Sequence, residues 1–198
     1  MAIADILVGP SIVWYAPVGE TEPSPDSIGA GVAWGGNWAK FGYTKTNLSA
    51  EFKFAEKEAE VQEALGPVKR WRTKEELTLE TILAEITAAN FGLAASRTPS
   101  VTAADATHVG REDVTVGGVS TLTEYAWGFE GTYLTDAGDA YPLRVFIPKG
   151  TATINGKLDF GKEDYPGIGM QIKALHDMTQ TQGARLAHFQ KVTASKTA

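Results

Sequence analysis

YPLRVFIPKGTATINGKLDFGKEDYPGIGMQIKALHD, residues 141–177, reads as a strand, a shorter strand, a tight turn and a second long strand. Tyr141, Leu143, Val145 and Ile147 share one parity, and Ile168, Met170, Ile172 and Ala174 do the same after the break at Pro166-Gly167. Alternation at period two is expected where one face of a strand is buried and the other is wet. The stretch holds no catalytic constellation.

Working outward, Val114–Val116, the pair Gly117-Gly118 and the run from Val119 to Tyr133 read as a hairpin with a Gly-Gly turn. Its long arm places Val119, Thr121, Thr123, Tyr125, Trp127 and Phe129 on one face, and Leu122, Glu124, Ala126, Gly128 and Glu130 on the other. The intervening 95–113 is a polar connection. Asp136 to Asp139 forms a turn, Gly183 to Lys191 reads as a last short strand, and residues 192–198 form a frayed tail.

The first half repeats the theme. Residues 4–16 predict a strand kinked or interrupted at Gly9-Pro10. A long loop or arm follows at about 17–47, punctuated by Pro23, Pro25, Gly29 and Gly31, with Val32 and Trp34 able to dock on something apolar. Leu48, Ala50, Phe52 and Phe54 alternate. Next come Glu56, Glu58, Glu60 and Glu63, the turn Gly66-Pro67, and then Lys69, Arg70, Arg72 and Lys74. Opposite charges flanking one turn pair either across a hairpin or with another copy of the chain. Leu79, Ile82, Leu83 and Ile86 follow i, i+3, i+4, i+7, which predicts one helix over about 78–90 with Thr78 as N-cap and Gly92 as stop.

Composition narrows the function. The chain has 198 residues, enough for one domain with its own core, and 43% of them are hydrophobic, which excludes a disordered polymer. Gly at 21 residues, with β-branched and aromatic residues in short runs, favours a mainly β fold. The absence of Cys removes disulfide and thiolate chemistry. The N-terminus MAIADILVG lacks a basic region and a long apolar run, so no signal peptide is expected, and no run reaches the roughly 18 apolar residues of a membrane helix. A net charge of −6 gives no basic footprint for gripping nucleic acid.

Motifs for chemistry are missing. His108, His176 and His188 fit no metal spacing. Gly29-Ala30-Gly31 lacks the third glycine and the helix of a dinucleotide fingerprint. Asp136, Asp139, Asp159 and Asp164 do not alternate as calcium ligands do and read as turn carboxylates. The expectation is no enzyme, no cofactor and no metal. Long strands and arms on a small acidic domain point instead to self-assembly, since open strand edges need partners.

Several segments in order resemble the major tail tube proteins of long-tailed bacteriophages: EELTLETILAEITAANFGLA at 75–94, a strand-into-helix unit; TLTEYAWGFEG at 121–131, a long strand; and the closing region 141–177. The similarity runs from about Ile6 to His188, and 17–45 has no counterpart in that lettering. The resemblance implies a single β-sandwich or barrel-like domain with one flanking helix. It also implies hexameric rings stacked into a tube, assembled in the host cytoplasm around a tape-measure protein and capped by terminator and tip proteins. In the virion the genome passes through the lumen without specific binding, and an acidic lumen suits the charge. On this reading Glu56, Glu58, Glu60, Lys69, Arg70 and Arg72 are the candidate inter-subunit or inter-ring contacts. The alternative is a monomeric β-sandwich that binds a host surface or carbohydrate through Tyr125, Trp127 and Phe129, or through Trp34 and Trp38.

Overall fold

The computed structural model describes residues 11–26, 29–46, 48–63, 65–118, 120–135, 138–156 and 167–194. Its strands are β1 (Ile12–Pro17), β2 (Ala39–Lys40), β3 (Ser49–Ala59), β4 (Lys69–Leu83), β5 (Ser100–Thr102), β6 (Arg111–Asp113), β7 (Glu124–Leu134), β8 (Ala140–Ile154), β9 (Ile168–Ala174) and β10 (His188–Lys191). A single helix among the described residues, α1 (Ala88–Ala94), separates β4 from β5. The main antiparallel sheet runs β2-β1-β7-β8-β9-β4-β3, with β10 also on β8, while β5 and β6 form a separate two-stranded sheet. The fold is mainly β, as composition predicts, with one helix among the described residues. Among the described residues no helix is long and apolar enough to cross a membrane. The expected breaks at Gly9-Pro10 and Pro166, and the tail at 195–198, lie outside the described residues.

β8 is the pivot, and its sequence explains why. Proline donates no N–H, so a ladder cannot run regularly through Pro148. The register with β7 shifts there: Trp127 faces Ile147, but Tyr125 faces Gly150. Before the irregularity the other edge of β8 is taken by β10, with Phe146 opposite His188. After it the same edge is taken by β9, from Gly150 opposite Ala174 to Ile154 opposite Met170. The two halves of the sheet therefore bend about β8 and close on one core. That core holds Val13, Phe129, Trp127 and Ile147 from one half, and Leu77, Leu79, Leu83, Met170 and Ile172 from the other. Trp127 donates from Nε1 to the Gly150 carbonyl at 3.2 Å, so the ring that fills the core also has its polar atom satisfied.

β8 is buried on both faces. Val145 and Ile147 point into the main core, while Arg144 and Phe146 are buried on the opposite side. Simple alternation predicts one wet face here. The second face is covered because the segment after β1 folds back over it.

Two further expectations are corrected. Residues 78–83 are strand, paired with β3 and β9, and the helix begins only at Ala88. Thr87 is its N-cap, accepting from the Asn90 backbone N–H at 3.1 Å. The hairpin expected between 114–116 and the 119–133 run does not form among the described residues. The strand that precedes Gly117 is β6, Arg111–Asp113, which pairs with β5, and β7 pairs with β1 and β8. Gly117 and Gly118 do adopt positive φ, 112° and 69°, but in a connection and not in a hairpin turn.

Candidate assembly surface

The β3–β4 hairpin is longer than the core beneath it. β9 reaches only Thr78–Leu83 of β4, whereas β3 pairs with β4 from Glu80 to Lys69. Residues 49–59 form the outer strand of the sheet, and the ribbon made by residues 55–59 and 69–74 projects beyond the second layer with its side chains largely exposed. Phe52, Phe54, Val68 and Trp71 are exposed there.

Register decides which side chains share a face. Ala50, Phe52 and Phe54 face Leu79, Leu77 and Glu75, on the side that continues into the core. Ser49, Glu51 and Lys53 face Glu80, Thr78 and Glu76, on the open side. Between Ala55 and Glu56 the register slips, leaving Thr73 as an extra residue on β4. The Thr73 hydroxyl donates to the Ala55 carbonyl at 3.2 Å and so caps the irregularity. Beyond it the parity of β4 is reversed. Arg72 and Arg70 now lie on the same side as Phe54, Glu56 and Glu58, and Trp71 and Lys69 lie with Lys57 and Ala59 on the other.

Four of the six residues expected to make contacts are thereby brought together. Arg70 holds Glu58, with Nε at 2.7 Å, and approaches Glu56 at 3.6 Å. Arg72 lies 3.8 Å from Glu56, 3.2 Å from Glu75 and 4.2 Å above the Phe54 ring. Hydrogen bonding and charge from Glu58, then charge from Glu56, raise the Arg70 pKa above its ordinary value. Lys69 pairs in register with Ala59, and Glu60 follows that strand at the exposed turn. Of the two possibilities left open, pairing across the hairpin is the one seen within a single chain. The participation of Glu75 is not legible in the sequence, because the bulge that turns Arg72 toward it leaves no mark in the alternation.

The open face carries a second set of ion pairs that charge counting does not single out. Lys53 binds Glu51 at 2.9 Å, Lys74 binds Glu76 at 2.7 Å, and Lys149 binds Glu124 at 2.8 Å. Glu80 accepts from the side-chain amides of Gln171, at 2.6 Å, and Asn155, at 3.0 Å. The hydrogen bond and charge of Glu51 raise the Lys53 pKa, and the hydrogen bond from Lys74 leads the causes that lower Glu76.

On the other half of the sheet the second face is covered, because the described part of 18–38 lies across it. Trp34 stacks on Trp14, with centroids 5.6 Å apart and planes at 17°, and meets Trp38 edge-on at 4.9 Å. Trp34 Nε1 and the Gly31 backbone N–H both donate to Glu130, at 3.0 and 2.7 Å. Arg144 completes the group, donating to Glu130 at 2.7 Å and to the Gly29 carbonyl at 3.2 Å. His188 Nδ1 and Glu22 lie 2.7 Å apart and tie the same segment to β10. Trp34 docks as expected, but Val32 is exposed. These contacts correct the binding-platform alternative. Trp127, Phe129, Trp34 and Trp38 are all buried, so neither aromatic set forms an open row of rings for a ligand. Among the described residues no group of His, Asp and Glu gathers as a metal site, and Asp136, Asp159 and Asp164 lie outside them.

A family model described as phage tail tube protein matches residues 5–194. No curated protein matches the chain.

Proposed function

The chain belongs to the phage tail tube protein family, and from that premise we propose that its copies join edge to edge into hexameric rings that stack into the conduit for the genome. The observation that carries this reading is the β3–β4 ribbon. An 11-residue outer strand with an open edge is a template for another chain, and soluble monomers normally shorten, cover or disrupt such edges. A two-stranded ribbon without a layer beneath it is also marginal in water and gains most from a neighbour. Phe52, Phe54 and Trp71 supply apolar area there, and Glu56, Glu58, Glu60, Lys69, Arg70 and Arg72 supply the charge that sets register against the adjoining subunit or ring.

In this role the protein is structural and performs no catalysis. Its partners are further copies of itself, then a tape-measure protein during assembly in the host cytoplasm, and terminator and tip proteins at the ends of the tube. DNA is a passenger.

Electron microscopy of the purified protein tests the reading, with rings or tubes as the expected image. A monodisperse monomer at high concentration, with no rings in the grid, overturns it. The charge reversal R70E/R72E is expected to abolish tubes while the subunit still folds, with only a small drop in melting temperature from the carboxylates it sets opposite Glu56 and Glu58. These arginines are exposed, and exposed ion pairs contribute little to folding. Normal tubes from that variant reject the assignment of the hairpin as the contact.

A further inference from the structure

We infer that Asn155 is a site of spontaneous deamidation, and that Glu80 gates the reaction by holding the amide away from the backbone nitrogen that attacks it. The inference concerns the folded chain and is independent of the assembly reading.

Four asparagines occur in the chain, at 37, 47, 90 and 155, and they are followed by Trp38, Leu48, Phe91 and Gly156. Deamidation begins when the backbone nitrogen of the next residue attacks the side-chain Cγ, and a side chain on that residue hinders the approach. Asn155 alone is followed by glycine. β8 ends at Ile154, and Asn155 and Gly156 lie exposed just beyond it. Gly156 has a φ of 106°, and the space where a Cβ would stand is open. That conformation suits glycine and strains any residue with a side chain. Among the described residues nothing accepts a hydrogen bond from the Gly156 N–H.

The Asn155 amide is engaged elsewhere. Its Nδ2 donates to Glu80 at 3.0 Å, and the Gln171 amide donates to the same oxygen at 2.6 Å. Glu80 and Gln171 are paired in register on β4 and β9, so one carboxylate ties the end of β8 to both strands. Bringing Cγ to the Gly156 nitrogen requires giving up the bond to Glu80. Hydrogen bonds to an ionised acceptor are stronger than those between neutral groups, and this one restrains the reaction.

The chemistry needs only water. The Gly156 nitrogen loses its proton to solvent as the N–Cγ bond forms. The Cγ–Nδ2 bond breaks and ammonia leaves, giving a cyclic imide. Water opens the imide at either carbonyl, to aspartate or isoaspartate. Both products replace a donor to Glu80 with a carboxylate, and like charges facing each other across strands repel. Isoaspartate also lengthens the main chain by one atom where there is no slack. The Asn155 N–H is bonded to the Gly169 carbonyl at 2.7 Å, and a methyl group at Gly169 would overlap the Asn155 carbonyl. Each event adds one negative charge to the −6 of the chain.

Peptide mapping by mass spectrometry decides this. Trypsin places the four asparagines on different peptides, with Asn155 on residues 150–157. The folded chain is incubated in warm buffer and compared with a sample that is not incubated. The 150–157 peptide should gain the mass difference between an amide and an acid, and the peptides of Asn37, Asn47 and Asn90 should not. Conversion should be faster in E80A and close to the parent rate in E80Q, which keeps an oxygen for Nδ2 to reach. No conversion of 150–157 in the parent and E80A alike overturns the site. Equal rates in the two, or an E80A variant in which the other asparagines accelerate as well, overturn the gate. N155D sets the product carboxylate in place, and its melting temperature should fall by about 2–4 °C. A melting temperature equal to that of the parent overturns the role of Asn155 as the tie between β8 and β4.

Discussion

The carboxylate of Glu130 and the guanidinium of Arg144 meet at 2.7 Å, in register on β7 and β8, with each side chain only 1% exposed. Two charges in a sheet face are costly to desolvate, and this pair is tolerated because the segment that covers it also supplies hydrogen bonds to both partners. Glu130 also receives Trp34 and Gly31, and Arg144 reaches Gly29. The ion pair and the loop above it are one unit.

Removing one partner leaves the other charge buried. R144M is expected to destabilise the subunit by about 3–5 kcal/mol, measured by urea denaturation. E130M/R144M should recover most of that loss, because no isolated charge remains. A single variant as stable as the parent contradicts the account.

Gly128 sits beneath the Trp34 ring, opposite Trp14 on one strand and Phe146 on the other. A methyl group at Gly128 overlaps the six-membered ring of Trp34. G128A should therefore cost about 1–3 kcal/mol as overpacking and change the near-ultraviolet circular dichroism of the Trp14–Trp34 stack. An unchanged spectrum means that Trp34 does not rest there in solution.

Thr87, and not Thr78, caps the helix. T87A is expected to lower stability by about 1 kcal/mol through loss of the bond from Asn90. T78A, on the open face of β4, has no cap to lose and should cost less. A reversed order in thermal melts places the helix start upstream.

Asp177 follows β9 and holds the next turn, accepting from the Thr179 backbone N–H at 2.9 Å and its hydroxyl at 2.7 Å. The Thr179 backbone bond first, then its hydroxyl, keep the Asp177 carboxyl below the ordinary range. A group whose folded pKa is depressed contributes stability that is complete above its unfolded value and is lost as pH falls through the folded one. The melting temperature of D177A should lie below that of the parent at neutral pH. The gap should close in acid, below the usual aspartate range. A gap independent of pH removes the carboxylate from the explanation.

The displaced helix shows where sequence patterning runs out. Leu79 and Leu83 are four residues apart, a spacing shared by a helix face and by a strand face. Ile82 and Ile86 complete the helical reading, and Leu77, Thr81 and Leu83 complete the strand. Burial resolves it: Leu77, Leu79, Thr81 and Leu83 are buried while Ile86 is exposed. Only the presence of β3 on one edge and β9 on the other selects the strand. The Gly117-Gly118 hairpin is lost for a related reason. The alternation of β7 is legible, but one of its partners is β1, more than a hundred residues upstream, and not the nearest run.

The sequence by itself determined the class: a mainly β chain with a charged hairpin, no thiol chemistry, and lettering that resembles a tail tube protein. These are properties of local alternation, turn residues and composition. The tertiary structure decided which charges share a face, through one extra residue at Thr73, and why β8 is buried on both sides, through the return of Trp34 over Glu130 and Arg144. Face and burial depend on register between distant strands, and register is set by packing that no local window contains.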